Sequence, residues 1–526
     1  MRVELRDGLE FLYSDSQVAA RPCRRLRLDA ARGAVAAVHV LVNAAPPGAT
    51  VRLELTHAGR PVRQARWFRL WHVPVEKNTG PVGFVEKAGE RNPHAARRAP
   101  FRVFDAMEPL ADSVRADEQT MAVRLHLPAA GAAGKRCYVA RLSCGSEVHE
   151  LRVDLTVHGV VVPPVGRDSF PYTNWFSLHN MAERHGVKPW SAAHWRLIRA
   201  YAALMAHARQ NTFWLPLSVI FARQNDRPVL DVPRLRRLVQ TFTDAGLHFI
   251  EGGHVAHRTG GEWNATTFDI ALADHVRATS PAGNAVLAAI AAQLRQAIDR
   301  FGWRARWLQH VTDEPTATNA ADYRILCGMV RRHLPGLPLL DATEDPTMAG
   351  SVDIWCPQAH QYQMHRETFA AARAAGDRVW FYTCCFPGGP WLNRLLDEEL
   401  LRPCLFGWAA ALFDLEGFLH WGFNHYKSFQ DPFAQSVVDH GGHNELPAGD
   451  THIVYPGRGE PWSSVRLEAQ REGCEDFELL RLLGRRDPRR QRAIVGQVIR
   501  GFDDYTKQPA VLRQARRALL AALARA

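Results

Sequence analysis

The residues best placed to do chemistry lie in Trp307-Leu308-Gln309-His310-Val311-Thr312-Asp313-Glu314-Pro315. An apolar, β-prone run delivers two adjacent acids, and a proline, which cannot donate to a strand ladder, then ends it. If the run is a strand of a parallel sheet, Asp313 and Glu314 sit at its C-terminal end, where such folds keep their active sites, and the two can serve as a catalytic pair. An isolated Asp-Glu-Pro more often caps a helix. The surrounding elements must decide.

From residue 166 onward, strand-like and helix-like segments alternate, the pattern of a parallel sheet wrapped by helices. Eight candidate strands run over 169–176, 211–218, 248–254, 304–312, 338–342, 351–357, 378–384 and 417–423. Helices are expected at 192–210, 233–245, 284–301, 320–334, 366–375 and 395–412, while the crossover 343–350 is too short for one. Eight such units fit a (β/α)8 TIM-like barrel better than an open sheet. The run Trp307–Thr312 becomes its fourth strand.

The strand ends then face one pocket, and their residues suit a sugar. They are Asn174 and Trp175, His254, Asp313 and Glu314, Trp355 with Gln358 and Tyr362, Trp380 and Tyr382, and Trp421 with Asn424. Aromatic rings offer flat faces to the C–H side of a pyranose, and amides and acids satisfy its hydroxyls. A carbohydrate is the expected partner.

Residues 1–165 show a different period. Val51, Leu53 and Leu55, Val123, Leu125 and Leu127, and Leu151, Val153, Leu155 and Val157 each alternate with other residues, as half-buried strands do. Pro46-Pro47-Gly48, Gly131 to Gly134 and Gly145-Ser146 supply turns, so an N-terminal β-sandwich is expected, ending at Pro163-Pro164. The polar segment 77–100 reads as a long loop over one end of it. The chain is therefore multidomain α/β: sandwich 1–165, barrel 166–484, and a helical tail 485–526 packed on the barrel.

Composition narrows the function. The formal charge of +11 is carried by arginines spread along the chain. The one basic cluster, Arg485, Arg486, Arg489, Arg490 and Arg492 around Asp487, reads as a solvated helix end before it reads as a nucleic-acid site. Nine cysteines without a Cys-x-x-Cys pair give neither a disulfide framework nor a zinc motif, and the histidines lack ligand spacing, so no metal is expected. No nucleophile elbow, phosphate loop or dinucleotide fingerprint occurs, and no cofactor is expected. No apolar stretch reaches spanning length, and the charged N-terminus has no leader core, so no membrane association and a cytoplasmic location are expected.

Several motifs carry a family resemblance. Thr312-Asp-Glu-Pro315, Trp421-Gly-Phe-Asn-His-Tyr426, Pro447-Ala-Gly-Asp450, Tyr455-Pro-Gly457, Val465-Arg-Leu-Glu468 and Arg471-Glu-Gly-Cys-Glu-Asp-Phe477 resemble glycoside hydrolase family 123 and its DUF4091 relatives. The resemblance implies a β-sandwich before a (β/α) barrel and a retaining β-N-acetylgalactosaminidase that uses the substrate's own acetamido group. It implies Glu314 as general acid/base and Asp313 as the residue that orients the acetamido group. Physical reasoning agrees: an ordinary retaining pair flanks the anomeric carbon about 5–5.5 Å apart, whereas adjacent side chains on one strand approach from one side. The alternatives are a glycosidase on non-acetylated sugars, with a second carboxylate such as Glu251 or Asp341, and a non-catalytic carbohydrate binder.

Overall fold

The computed structural model describes residues 1–225 and 227–524; the last two residues of the expected tail, 525–526, lie outside the described residues. Two sheets make the N-terminal part. The first is antiparallel and runs Arg2–Asp7, Val35–Asn43, Thr120–Pro128, Arg66–Val75, Phe101–Leu110, and then Pro461–Ser464 and Tyr455–Pro456 from late in the chain. The second runs Arg25–Arg32, Glu147–Val161, Gly134–Cys144, Thr50–His57, Arg60–Pro61, with Ser113–Arg115 paired to Thr50–His57.

Period two holds where one face meets water. Leu151, Val153, Leu155 and Val157 are buried, while the residues between them are at least partly exposed. The alternation fails on Thr120–Pro128, where Arg124 and His126 are buried as well. That face of the sheet is covered by the long helix Val465–Arg486: Glu468 lies 3.7 Å from His126 and 2.9 Å from His207. A fully buried ion pair between Asp105 and Arg466, 2.9 Å apart, fastens the two parts.

In the second part each of the eight expected segments contains a strand: Tyr172–Asn174, Thr212–Leu215, Phe249–Gly252, Trp307–Gln309, Leu340–Asp341, Ile354–Trp355, Arg378–Val379 continued by Phe381–Tyr382, and Phe418–His420. The expected barrel is not one continuous hydrogen-bonded sheet. Three parallel ladders of three strands are present. One joins Tyr172–Asn174, Phe418–His420 and Phe381–Tyr382; the second joins Thr212–Leu215, Phe249–Gly252 and Trp307–Gln309; the third joins Leu340–Asp341, Ile354–Trp355 and Arg378–Val379. A single bridge, Gln309 to Leu339, links the second to the third. The strands are too short to sustain longer ladders.

Helices fall at Ala192–His207, Val232–Ala245, Pro281–Arg300, Ala320–His333, Arg366–Ala374 and Leu401–Phe413. The Ser191, Asp231 and Ser280 side chains cap three of them by accepting from backbone N–H groups in the first turn. The crossover after Leu340–Asp341 holds only the turn Pro346–Met348. The sixth helix starts later than its apolar pattern suggests, because the preceding segment is engaged by the 77–100 loop. There Thr79 donates to Asp397 from backbone and hydroxyl at 2.7 and 2.8 Å, and Phe84 packs on Phe386 with ring centroids 4.8 Å apart.

The tail forms Pro488–Val495 and Pro509–Ala524. The second helix, expected on the barrel, rests on the strands Arg25–Arg32 and Glu147–Val161 and on the helix Val465–Arg486. Its apolar stripe of Leu512, Leu519 and Leu520 is buried, and Arg516 pairs with Asp476 at 2.9 Å. No described helix is long and apolar enough to cross a membrane.

Candidate active site

The chain leaves the Trp307–Gln309 ladder at His310 and is then guided by side chains. The Asp341 carboxylate accepts from the backbone N–H of Val311 at 3.2 Å and of Thr312 at 3.3 Å. Glu314 adopts φ +46°, a left-handed conformation that costs a non-glycine residue about 1–2 kcal/mol. Arg258, at the end of the strand Ala256–Arg258, holds that turn by donating to the carbonyl oxygens of Asp313, at 3.1 Å, and of Glu314. Such strain persists where surrounding contacts over-determine it, as at active sites.

The turn gives the two acids different surroundings. The Asp313 side chain is solvent-exposed and Glu314 is half-buried, although protein lies densely around both, as on the floor of an open cleft. Oε1 of Glu314 accepts from the Tyr382 hydroxyl, which accepts in turn from Gln358 Nε2 at 3.0 Å. Desolvation and the neighbouring Asp313 push the Glu314 carboxyl up to about 7, against the Tyr382 hydrogen bond and Arg258. Desolvation also raises Asp313, opposed by the charges of His310 and Arg258. A third acid, Glu344, is half-buried and is pushed up to about 7 by burial and by the charge of Glu314.

Next to the pair lies a buried polar network. His310 Nε2 meets Glu251 Oε1 at 2.7 Å and its Nδ1 meets Asp341 Oδ1 at 2.8 Å, all three side chains being fully buried. Glu251 also accepts from Thr173 Oγ1 at 2.6 Å and Trp175 Nε1 at 2.8 Å, and Asp341 from the Tyr323 hydroxyl. His254, His310 and Asp341 could bring ligand atoms within 4.8 Å of one another. Both His310 nitrogens are already spent on carboxylates, so the set fits a hydrogen-bonded network better than a metal centre.

Trp175 and Trp214 stack with centroids 4.6 Å apart, and His254 stands edge-on to both. Trp421 is half-buried and donates to Asp450 at 3.3 Å. Among the sequence candidates, Glu314, Tyr382 and Gln358 therefore form one hydrogen-bonded chain, with Asp313 beside it on the same turn. Trp175 and His254 join it through the buried network, and Trp421 shares an apolar cluster with Trp175 and Tyr382.

Four candidates lie elsewhere, and a fifth, Trp380, belongs to the same small cluster but is fully buried. Ile354 and Cys356 belong to that small cluster, so Trp355 between them points outward, packing on Phe369 and donating to Asp377 at 2.8 Å. Tyr362 is in the helix Ala359–Met364 and packs on Phe369, Phe413 and Phe502. Trp380 is fully buried against Gly417, where a Cβ would stand 2.4 Å from its ring. Asn174 is bound by Arg394 at 2.7 Å and Gln210 at 3.1 Å, and Asn424 fastens the backbone of Ser177 at 2.8 and 3.0 Å. Trp355, Tyr362, Asn174 and Asn424 are committed to structure because strand parity turns them away or internal partners saturate them, whereas Trp380 shares the parity and the cluster of Tyr382 but is fully buried beneath it.

Arg258, Trp214, His310 and Glu344 were not singled out from the sequence. Parity with Leu308 offered a signal for His310, and Glu344 follows the fifth strand directly. A cavity of about 880 Å³ opens at the opposite, N-terminal ends of the strands, among Arg167, Phe249, Arg378, Glu416 and Arg481, and Asp313, Glu314 and Glu344 are not among its lining residues.

The family model described as glycoside hydrolase 123, catalytic domain, matches residues 175–241 and 255–483, more than half of the chain and including both acids. No curated protein matches the sequence. Among solved structures, a family 123 glycoside hydrolase from Clostridium perfringens, described for glycolipid glycan hydrolysis, superposes with a TM-score of 0.74 at 11% identity, covering 100% of this chain and 98% of that one. β-Glucuronidase 3 from Bacteroides uniformis reaches a TM-score of only 0.32 at 10% identity, over 86% of this chain and 51% of that one. The Clostridium likeness concerns the fold alone, whereas the family model spans the acids and their setting: the chain belongs to glycoside hydrolase family 123 and is a glycoside hydrolase.

Proposed function

We propose that the enzyme releases β-linked N-acetylhexosamine, GalNAc first among the candidates, from glycans or glycolipids, with retention and by substrate-assisted catalysis. The observation that carries this reading is that Asp313 and Glu314 issue from one strained turn, which supports an approach of both carboxyls to a substrate from the same side. A nucleophile must come from the other side of the anomeric carbon, and a 2-acetamido oxygen can supply it. Glu314, its proton affinity raised to about 7, donates to the leaving oxygen. Asp313 accepts the acetamido N–H and offsets the charge of the forming oxazolinium. Glu314, now a carboxylate, takes a proton from the water that opens the ring, which restores the original configuration. Trp175 and Trp421 lie partly exposed near this centre and suit a pyranose face. The Clostridium relative's glycolipid glycans are the model for the natural substrate class.

The same reading extends to architecture. The two N-terminal sheets act as a β-sandwich, and the eight short strands follow one another around a (β/α) barrel. The three parallel ladders, the Gln309–Leu339 bridge and the hydrogen bond from Asn211 N to Tyr172 O at 3.3 Å support that order.

Aryl glycosides of β-GalNAc, β-GlcNAc, β-Gal and β-Glc test the proposal. Turnover confined to the two acetamido sugars is expected. Equal turnover of β-Gal or β-Glc favours the second reading, a two-carboxylate glycosidase. Glu344 would be its partner acid, since its carboxyl responds to Glu314 while Glu251 and Asp341 are tied to His310.

A further inference from the structure

Three groups donate to the Asp341 carboxylate, the backbone N–H of Val311 and Thr312 and the Tyr323 hydroxyl, and His310 Nδ1 lies 2.8 Å from it. Two donate to Glu251, Thr173 Oγ1 and Trp175 Nε1, and His310 Nε2 lies 2.7 Å from it. With every other partner of the two carboxyls a donor, both are read as carboxylate acceptors, which assigns a proton to each His310 ring nitrogen and makes the ring an imidazolium. It is fully buried, three residues before Asp313 in the segment that follows the strand Trp307–Gln309. A buried charge with two acceptors is costly to build, and three ionisable groups in one buried cluster do nothing for packing that apolar side chains could not.

We propose that His310 is a positioning residue of the hydrolysis reaction: clamped between Glu251 and Asp341 as a cation, it holds Asp313 as the anionic member of the acid pair and so leaves the proton on Glu314. This rests on the substrate-assisted reading, in which the two acids must start in opposite protonation states. The groups facing Asp313 divide unequally. His310 and Arg258 favour its charged form, Asp341 opposes it, and His310 leads the favourable charges. Glu314 is faced instead by Asp313, Tyr382, Arg258 and Glu344. The imidazolium therefore acts on one member of the pair and separates two carboxyls that adjacency alone would leave nearly equivalent. His310 itself faces Glu251, Asp341 and the neighbouring ring of His254; although burial works against its charge, the two carboxylates carry it up to about 9.

The test compares pH profiles of kcat/KM on an aryl β-GalNAc substrate for wild type, His310→Gln and Tyr323→Phe. Tyr323→Phe removes a support of the network and leaves the cation. Activity needs Asp313 charged, so it fails as pH falls through the Asp313 proton affinity. Loss of a nearby positive charge raises that affinity by about one unit or more, so His310→Gln should move the acidic limb up by that amount. On that acidic limb its kcat/KM should fall about tenfold relative to wild type at the same pH. Tyr323→Phe should leave the limb in place. An acidic limb that stays put in His310→Gln, or moves equally in both variants, overturns the proposal.

Because His310→Gln leaves two buried carboxylates without their cation and can fail to fold, a wild-type measurement stands beside it. Nitrogen NMR of ¹⁵N-histidine-labelled enzyme should show one fully buried ring with both nitrogens protonated at about pH 7.5. A set of spectra in which every buried ring is neutral there overturns the proposal. If acetamido glycosides are not turned over at all, the substrate reading fails by itself, and the spectra still decide the charge on His310.

Discussion

The Tyr382 hydroxyl donates a hydrogen bond to Oε1 of Glu314, so a phenol from one strand end rests on the acid that terminates another. This bond stabilises the carboxylate form of Glu314 and is the protein's local counterweight to desolvation and to Asp313. Tyr382→Phe should therefore raise the proton affinity of Glu314 and move the basic limb of kcat/KM to higher pH. It should also lower kcat roughly tenfold through lost orientation. Steady-state kinetics across pH check both.

In the wild type, activity requires a protonated Glu314, whose carboxyl sits at about 7. The basic limb should fall near that pH, well above the usual carboxylate range. Glu314→Gln should lower kcat by about 10²–10⁴-fold while circular dichroism shows an unchanged fold. Asp313→Asn should cost a comparable factor on acetamido substrates, of order 10²–10³ for a lost electrostatic partner of the transition state.

Stability should follow the same shift with the opposite emphasis. The folded Glu314 holds its proton more tightly than the unfolded one, so its stabilising contribution is complete below the unfolded value of 4.5 and is lost as pH rises through about 7. Glu314→Gln removes that loss. The variant should melt higher than wild type at about pH 8, by roughly 1–3 °C, and show a smaller difference at about pH 5. Calorimetric melting at the two pH values measures it.

Arg258 is the tie that keeps Glu314 at φ +46°. Arg258→Ala frees two carbonyls and lets the turn relax, displacing both carboxyls. A displacement of about 1 Å can cost on the order of 10²-fold, so kcat should fall by that order with a much smaller change in melting temperature.

Asp105 and Arg466 form a fully buried pair between the N-terminal sheet and the helix Val465–Arg486, and Tyr455 donates to the same Asp105 at 2.7 Å. Asp105→Ala leaves Arg466 charged and unpaired, which should cost about 3–5 kcal/mol. A denaturant unfolding series reads the loss directly.

Much of this arrangement was legible in the sequence because it depends on period and punctuation. Each of the eight apolar, β-prone runs holds a strand, and a helix lies within or across each of the six helical segments expected between them. Asp313 and Glu314 could be found because a proline and a strand end mark them. Side-chain direction was harder to read. Trp355 is chemically as good a sugar platform as Trp175, and only its place between Ile354 and Cys356 turns it outward. Asn174 and Asn424 look free in a sequence and are saturated in space by Arg394 and Ser177. Arg258 and Glu344 reach the pair from segments distant in sequence, through a backbone contact and through charge. Neither interaction leaves a local pattern.

The central claim is that the substrate's acetamido oxygen, and no enzyme side chain, attacks the anomeric carbon. The most direct measurement compares kcat/KM for aryl β-glycosides bearing N-acetyl, N-fluoroacetyl, N-difluoroacetyl and N-trifluoroacetyl groups on the same sugar. Each fluorine weakens the carbonyl oxygen as a nucleophile. The account predicts a steep fall along the series, with binding of the unreacted glycosides nearly unchanged. A flat series would contradict it and assign the attack to a protein carboxylate, with Glu344 as the first to replace.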